Sequence, residues 1–192
     1  MLILIAGLVL FLGVHSISVV AAGWREVAVA RLGAMPWKLL YGLVAAIGLA
    51  LIVFGYGMVR SDPSQQVLYV PPAWLRHVSL LLMLPTFILL LAAYLPGRIR
   101  RATRHPMLLA VKLWAVAHLF ANGTLVDVLL FGSFLAWAVA DRISLKRRVA
   151  PTVMGAPPSR WNDWIAVGGG LVLYVAFLLW LHKALIGVPP IG

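Results

Sequence analysis

The sequence predicts an all-α, polytopic integral membrane protein, a six-helix transmembrane bundle, and three observations carry that expectation. The chain is 63% hydrophobic and only 11% charged, where soluble domains run at about 45–50% apolar and about 25% charged. Its mean hydropathy is +1.00. Its apolar residues fall in runs of roughly 16–22, close to what carries a helix through a ~30 Å hydrocarbon core. Residues 1–192 read as one transmembrane domain. The net charge of +11 does not point to nucleic acid. No basic domain carries it, and the charges stand at the ends of apolar runs, where they set topology. With no cysteine in the chain, disulfides, thiolate metal sites, iron–sulfur clusters and cysteine nucleophiles are excluded.

The six expected spans are about Leu2–Ala22, Lys38–Met58, Trp74–Leu95, Pro106–Ala121, Thr124–Ala140 and Trp164–Leu185. The first opens Met1-Leu2-Ile3-Leu4 with no basic n-region and no cleavage site, so it reads as a retained helix rather than a signal peptide. Pro85 falls inside the third and should kink it, since its missing N–H frees a carbonyl one turn earlier. The fourth and fifth are short and joined only by Asn122-Gly123, which predicts a tight helical hairpin. Proline, glycine and charge mark the other connections: Met35-Pro36-Trp37, Ser61-Asp62-Pro63-Ser64, Pro96-Gly97, and Pro151 to Pro158.

Twelve of the 16 Lys and Arg residues lie in the first, third and fifth connections. These are Arg25, Arg31 and Lys38; Arg98, Arg100, Arg101 and Arg104; and Arg142, Lys146, Arg147, Arg148 and Arg160. The positive-inside rule then places both termini away from the cytoplasm. Such clusters can also hold anionic lipid head groups.

Histidine is costly at bilayer depth, so an intramembrane histidine is a functional candidate. His118 ends the run Trp114-Ala115-Val116-Ala117-His118, and His15 stands between Val14 and Ser16 in another apolar run. Two imidazoles on separate helices could reach one metal, haem iron included. His118 precedes the Asn122-Gly123 turn by four residues and Asp127 follows it by four. Both would lie roughly 7 Å below the outer surface, and His15 on the order of 20 Å below it. Asp127 could orient the His118 ring, or it could pair with Lys112 or cap the fifth helix. Trp114 and Ala115 share the face of His118, an aromatic and a small residue that leave room for a flat group or for ordinary helix packing.

His105, in Arg104-His105-Pro106, is a competing site. It is rotated about 220° from His118 and shares a face with Lys112. That face could bind an anion near the cytoplasm, or serve for capping and snorkelling. His77 and His182 read as interfacial anchors.

His15-Ser16, Arg104-His105-Pro106, Trp114 through His118, Asn122-Gly123-Thr124 and Asp141-Arg142 resemble the NnrU family of bacterial membrane proteins, over nearly the whole chain. The resemblance implies a multi-pass protein of the bacterial inner membrane. It also implies an association with denitrification, through nitrite and nitric oxide reduction. The family includes the ζ-carotene isomerase, a b-type haem enzyme that isomerises a cis double bond in an apolar polyene. Carried over, that enzyme's two haem-ligand histidines fall on His15 and His118. Its cysteine implicated in ligand exchange falls on Ala115, so exchange through that sulfur is not available here. The resemblance thus implies haem b in the bilayer and an apolar small molecule or nitric oxide as ligand. It leaves open whether the chain catalyses. A non-catalytic assembly or sensing factor for denitrification enzymes is the alternative. Arg104-His105-Pro106 before an apolar helix is also similar to membrane methyltransferases that use S-adenosylmethionine. They carry acidic and tyrosine residues downstream, whereas Asp141 to Arg160 is basic and has neither Glu nor Tyr, so this reading ranks lower.

Overall fold

The computed structural model describes residues 1–148 and 155–191. The expected Pro151 to Pro158 connection lies partly outside the described residues, as does Gly192. The described chain is helical: α1 (Leu2–Val20), α2 (Ala22–Leu32), α3 (Ala34–Arg60), α4 (Leu75–Ala92), α5 (Arg98–Thr103), α6 (Pro106–Ala121), α7 (Leu125–Ser144), α8 (Asn162–Ala176), a π-helical turn (Phe177–Leu181) and α9 (His182–Ile186). One isolated antiparallel bridge, Val67 with Thr124, is the β pairing among the described residues.

The chain forms two compact units: Met1–Pro71 with Asn122–Val149, and Pro72–Ala121 with Ala150–Gly192. In the first, α1 packs along α3, and α7 packs on both. Glycine permits the close approach of α1 and α3. A Cβ on Gly7 would stand 2.6 Å from the Ile52 nitrogen, and one on Gly48 would stand 2.7 Å from the Phe11 nitrogen. Small residues let membrane helices meet backbone to backbone, where dispersion replaces the hydrophobic driving force that lipid does not supply. Leu4, Leu8, Ile52, Val126, Leu130 and Phe131 are buried in this unit.

In the second unit α4 is central and packs against α6 and α8. Gly170 of α8 meets Ile88 of α4, where a Cβ would come within 2.7 Å of the Ile88 Cα. Pro85 lies inside α4, which runs unbroken from Leu75 to Ala92. Phe87, Leu89, Leu108, Ala110, Ala115 and Ala117 are buried here.

Large apolar side chains face outward along both units, among them Val9, Leu39, Phe54, Leu81, Val172 and Leu179. A surface of that kind needs hydrocarbon around it. This is a helical membrane protein.

Among the described residues, four helical segments are long and apolar enough to cross a membrane: Leu2–Val20, Ala34–Arg60, Leu75–Ala92 and Asn162–Ile186. α6 has 16 residues, about 24 Å of helix against a ~30 Å core. α7 has length enough, but Asp127, Asp141 and Arg142 interrupt its apolar character.

Two boundaries moved for identifiable reasons. Residues 23–32, read as a connection, fall in α2, because Ala, Arg, Glu and Leu are good helix formers even where no apolar stripe is present. Pro36, read as a breaker, lies in the first turn of α3, where its missing N–H has no partner to lose. The two helices joined by Asn122-Gly123, expected to form a hairpin, fall in different units. Gly123 is held by the preceding loop: its carbonyl accepts the N–H groups of Leu68 (2.8 Å) and Tyr69 (3.1 Å). A Cβ at Gly123 would overlap the Tyr69 carbonyl, so glycine is required there.

Candidate functional site

His15, on α1, sits among residues of three helices of the first unit. Its ring centroid is 4.3 Å from Phe11, 5.3 Å from Tyr41 of α3 and 5.9 Å from Trp137 of α7. Its Nδ1 lies 2.6 Å from the Phe11 carbonyl oxygen. A carbonyl only accepts, so Nδ1 is the donor in this contact. Ser16 turns back in the same way, its hydroxyl donating to the Leu12 carbonyl at 2.6 Å. The indole Nε1–H of Trp137 is buried without a hydrogen-bond partner. Tyr41 and Trp137 were not among the expected site residues. They lie far from His15 in sequence, and only the packing of α3 and α7 brings them to it.

His118, on α6 in the second unit, repeats the arrangement. Its Nδ1 donates to the Trp114 carbonyl at 2.8 Å, with the Trp114 ring 5.2 Å away. Ala115 is fully buried on the same helix. The His182 ring, read from sequence as an anchor, lies 6.4 Å from that of His118 with the planes 22° apart. Its Nδ1 donates to the Val188 carbonyl at 2.5 Å. His182 follows the π-helical turn, whose extra residue rotates everything beyond it, so α-helical spacing could not have placed it. His15 and His118 thus belong to different units.

Asp127 is committed to the start of α7. Its Oδ2 accepts from the Thr124 N–H (3.0 Å) and hydroxyl (2.6 Å), completing a capping box. Its Oδ1 accepts from the Tyr56 hydroxyl at 2.7 Å and from Arg60 at 3.4 Å. The carboxylate is 1% exposed and the Arg60 side chain 31%. Of the roles open to Asp127 from sequence, helix capping is the one these contacts describe. Tyr56 and Arg60 carried no local signal.

Arg104 and His105 form the link between α5 and α6. Arg104 has φ +60°, the one positive value outside glycine among the described residues. The His105 N–H reaches back to the Thr103 carbonyl at 2.7 Å. This is a γ-turn with positive φ, a strained conformation for a side-chain-bearing residue. Pro106 then opens α6, where its fixed φ suits the first helical position. Lys112 lies on α6, half-buried, two turns beyond His105.

A family model described as NnrU protein matches residues 3–190 of the chain. No curated protein and no solved structure matches it.

Proposed function

The chain belongs to the NnrU family, and we propose that it is a b-type haem protein of the membrane whose iron is held by His15 and His118. The observation that supports this reading is the state of the two rings. Each Nδ1–H is held by the carbonyl one turn earlier. That hydrogen bond suits an imidazole ligating a metal. The orphaned indole N–H of Trp137 beside His15 would find an acceptor on a bound polar group. Haem would supply an iron centre for an apolar polyene, in cis–trans isomerisation, or for nitric oxide, in a denitrification-linked role. Trp114 would pack beside the cofactor, and the buried Ala115 would leave it space.

The same proposal takes α6 and α7 as two further, short crossings, six in all, in a bacterial inner membrane with both termini on the periplasmic side. Alkaline phosphatase fused after residue 192 should be active and fused near Arg147 inactive; the opposite pattern rejects this orientation.

The iron ligands are tested by spectroscopy. Purified protein supplied with haem should show a Soret band and sharp α and β bands on reduction, as six-coordinate low-spin haem does. His15→Ala or His118→Ala should lose haem or turn it high-spin, and His105→Ala should leave the spectrum unchanged. Protein that takes up no haem would overturn the reading. A second reading is favoured by the His118–His182 ring pair: both ligands come from one unit. In that case His182→Ala, not His15→Ala, turns the iron high-spin. Conversion of cis-ζ-carotene would assign an isomerase. A spectral shift under nitric oxide without conversion would assign a sensing or assembly factor. Turnover of S-adenosylmethionine without haem would replace both.

A further inference from the structure

We infer that the cleft around the α5–α6 link is a binding site for a phosphate group, carried by a lipid head group or by a soluble ester. The cleft has a volume of about 540 Å³ and is lined by Arg100, Arg101, Arg104 and His105 between Pro96-Gly97 and Pro158. No carboxylate lines it. Among the described residues the ion pairs are Arg60–Asp127 and Arg148–Asp141, so Arg100, Arg101 and Arg104 enter none. A second cleft of about 440 Å³ shares Arg101 with the first and adds Arg98 and Arg160. Its one carboxylate, Asp163, is already engaged, accepting the backbone N–H groups of Arg98 at 2.8 Å and Ile99 at 3.0 Å.

Arg98 and Arg101 have Asp163 as a charged neighbour, but that single carboxylate does not balance the arginines of the two clefts, and the excess positive charge suits an anion that takes their forked N–H pairs. Phosphate suits this better than carboxylate because it offers acceptors to several forks at once.

The walls of the cleft are held in place. Asn162, which is buried, donates to the Pro96 carbonyl at 2.8 Å and the Pro157 carbonyl at 3.0 Å, and the Ala156 N–H reaches the Tyr94 carbonyl at 2.9 Å. A Cβ on Gly97 would overlap the Asp163 carboxylate, so the close approach of this turn to α8 depends on glycine. The strained backbone at Arg104 points the same way. A glycine there would relieve the strain, and an arginine is present instead. The cleft lies where α4 ends and the continuous helical segment Asn162–Ile186 begins, both of membrane-crossing length and character, so it sits at head-group level.

The test uses the purified full-length protein. Native mass spectrometry with phosphatidylglycerol, phosphatidylcholine and inorganic phosphate should show retention of one or more phosphate-bearing species. The double variant Arg101→Gln/Arg104→Gln should weaken that retention at least tenfold, and Lys183→Gln should not. Arg104→Gly should raise the melting temperature and weaken binding together, a split that a purely structural arginine would not give. Arg100→Gln serves if the double variant does not fold. Preference for phosphatidylglycerol over phosphatidylcholine identifies a head-group site. Retention of inorganic phosphate with no lipid preference identifies a site for soluble phosphate esters. Equal retention by wild type, Arg101→Gln/Arg104→Gln and Arg100→Gln, or retention of none of the three probes, overturns the inference.

Discussion

In the first unit a carboxylate stands where α7 begins, with both oxygens engaged by Thr124, Tyr56 and Arg60. In the second, arginines gather around the α5–α6 link, and the nearby Asp163 spends itself on backbone N–H groups. The first arrangement is closed: charge, donors and acceptors balance within the protein, and what it provides is a fixed start for α7. The second leaves positive charge to be met from outside the chain. A buried charge that is satisfied serves structure, and a cluster with more positive charge than its one neighbouring carboxylate balances is where we place a ligand.

Breaking each carboxylate tests that contrast, and the largest effect is expected in the first unit. Asp127→Ala removes the counter-charge of Arg60 and the acceptor of the Tyr56 hydroxyl and the Thr124 N–H and should cost about 3 kcal/mol, read as a fall in thermal stability in detergent. Asp163→Ala uncaps only the six-residue α5 and should cost clearly less while tightening anion retention, since a competing carboxylate is gone. If the two losses are equal, the division into closed and open centres fails.

The glycine contacts sharpen the comparison of the two cores. Gly55→Val in α3 would drive a side chain into the backbone of Leu4 and should cost about 2–3 kcal/mol. Gly170→Val should act similarly on α4 and α8, each substitution loosening its own unit. The smallest effect has the opposite sign. Gly57→Ala meets no atom within 4 Å and should stabilise α3 by about 0.5 kcal/mol through helix propensity. Chemical denaturation of the three variants ranks them, and a loss at Gly57 equal to that at Gly55 would remove the packing argument.

Much of the fold was legible in the residues. Pro106–Ala121 was bounded to the residue, because proline opens it and Asn122-Gly123 closes it. The ends of α1 and α4 came within a few residues of the observed ones, because apolar length in a membrane protein is a direct record of bilayer thickness. His15 and His118 were visible for the same reason: in an apolar run a polar ring stands out. α2 was missed because nothing distinguishes a charged connection from a short helix that buries no residue. Four spans are plain in helix length and composition, whereas α6 and α7 sit at the margin of length and charge, where composition alone does not decide.

The family, the helical class and the two histidines within apolar runs follow from composition and local pattern, since each is a property of residues near one another in the chain. The surroundings of those histidines do not. Tyr41 and Trp137 reach His15 through helix packing, and His182 reaches His118 through a π-helical turn that alters the register. Tyr56 and Arg60 find Asp127 across about 70 residues of chain. Side-chain neighbours of this kind depend on how backbones approach and rotate, through glycines that admit a second helix and turns that shift phase, and one-dimensional spacing carries no record of either.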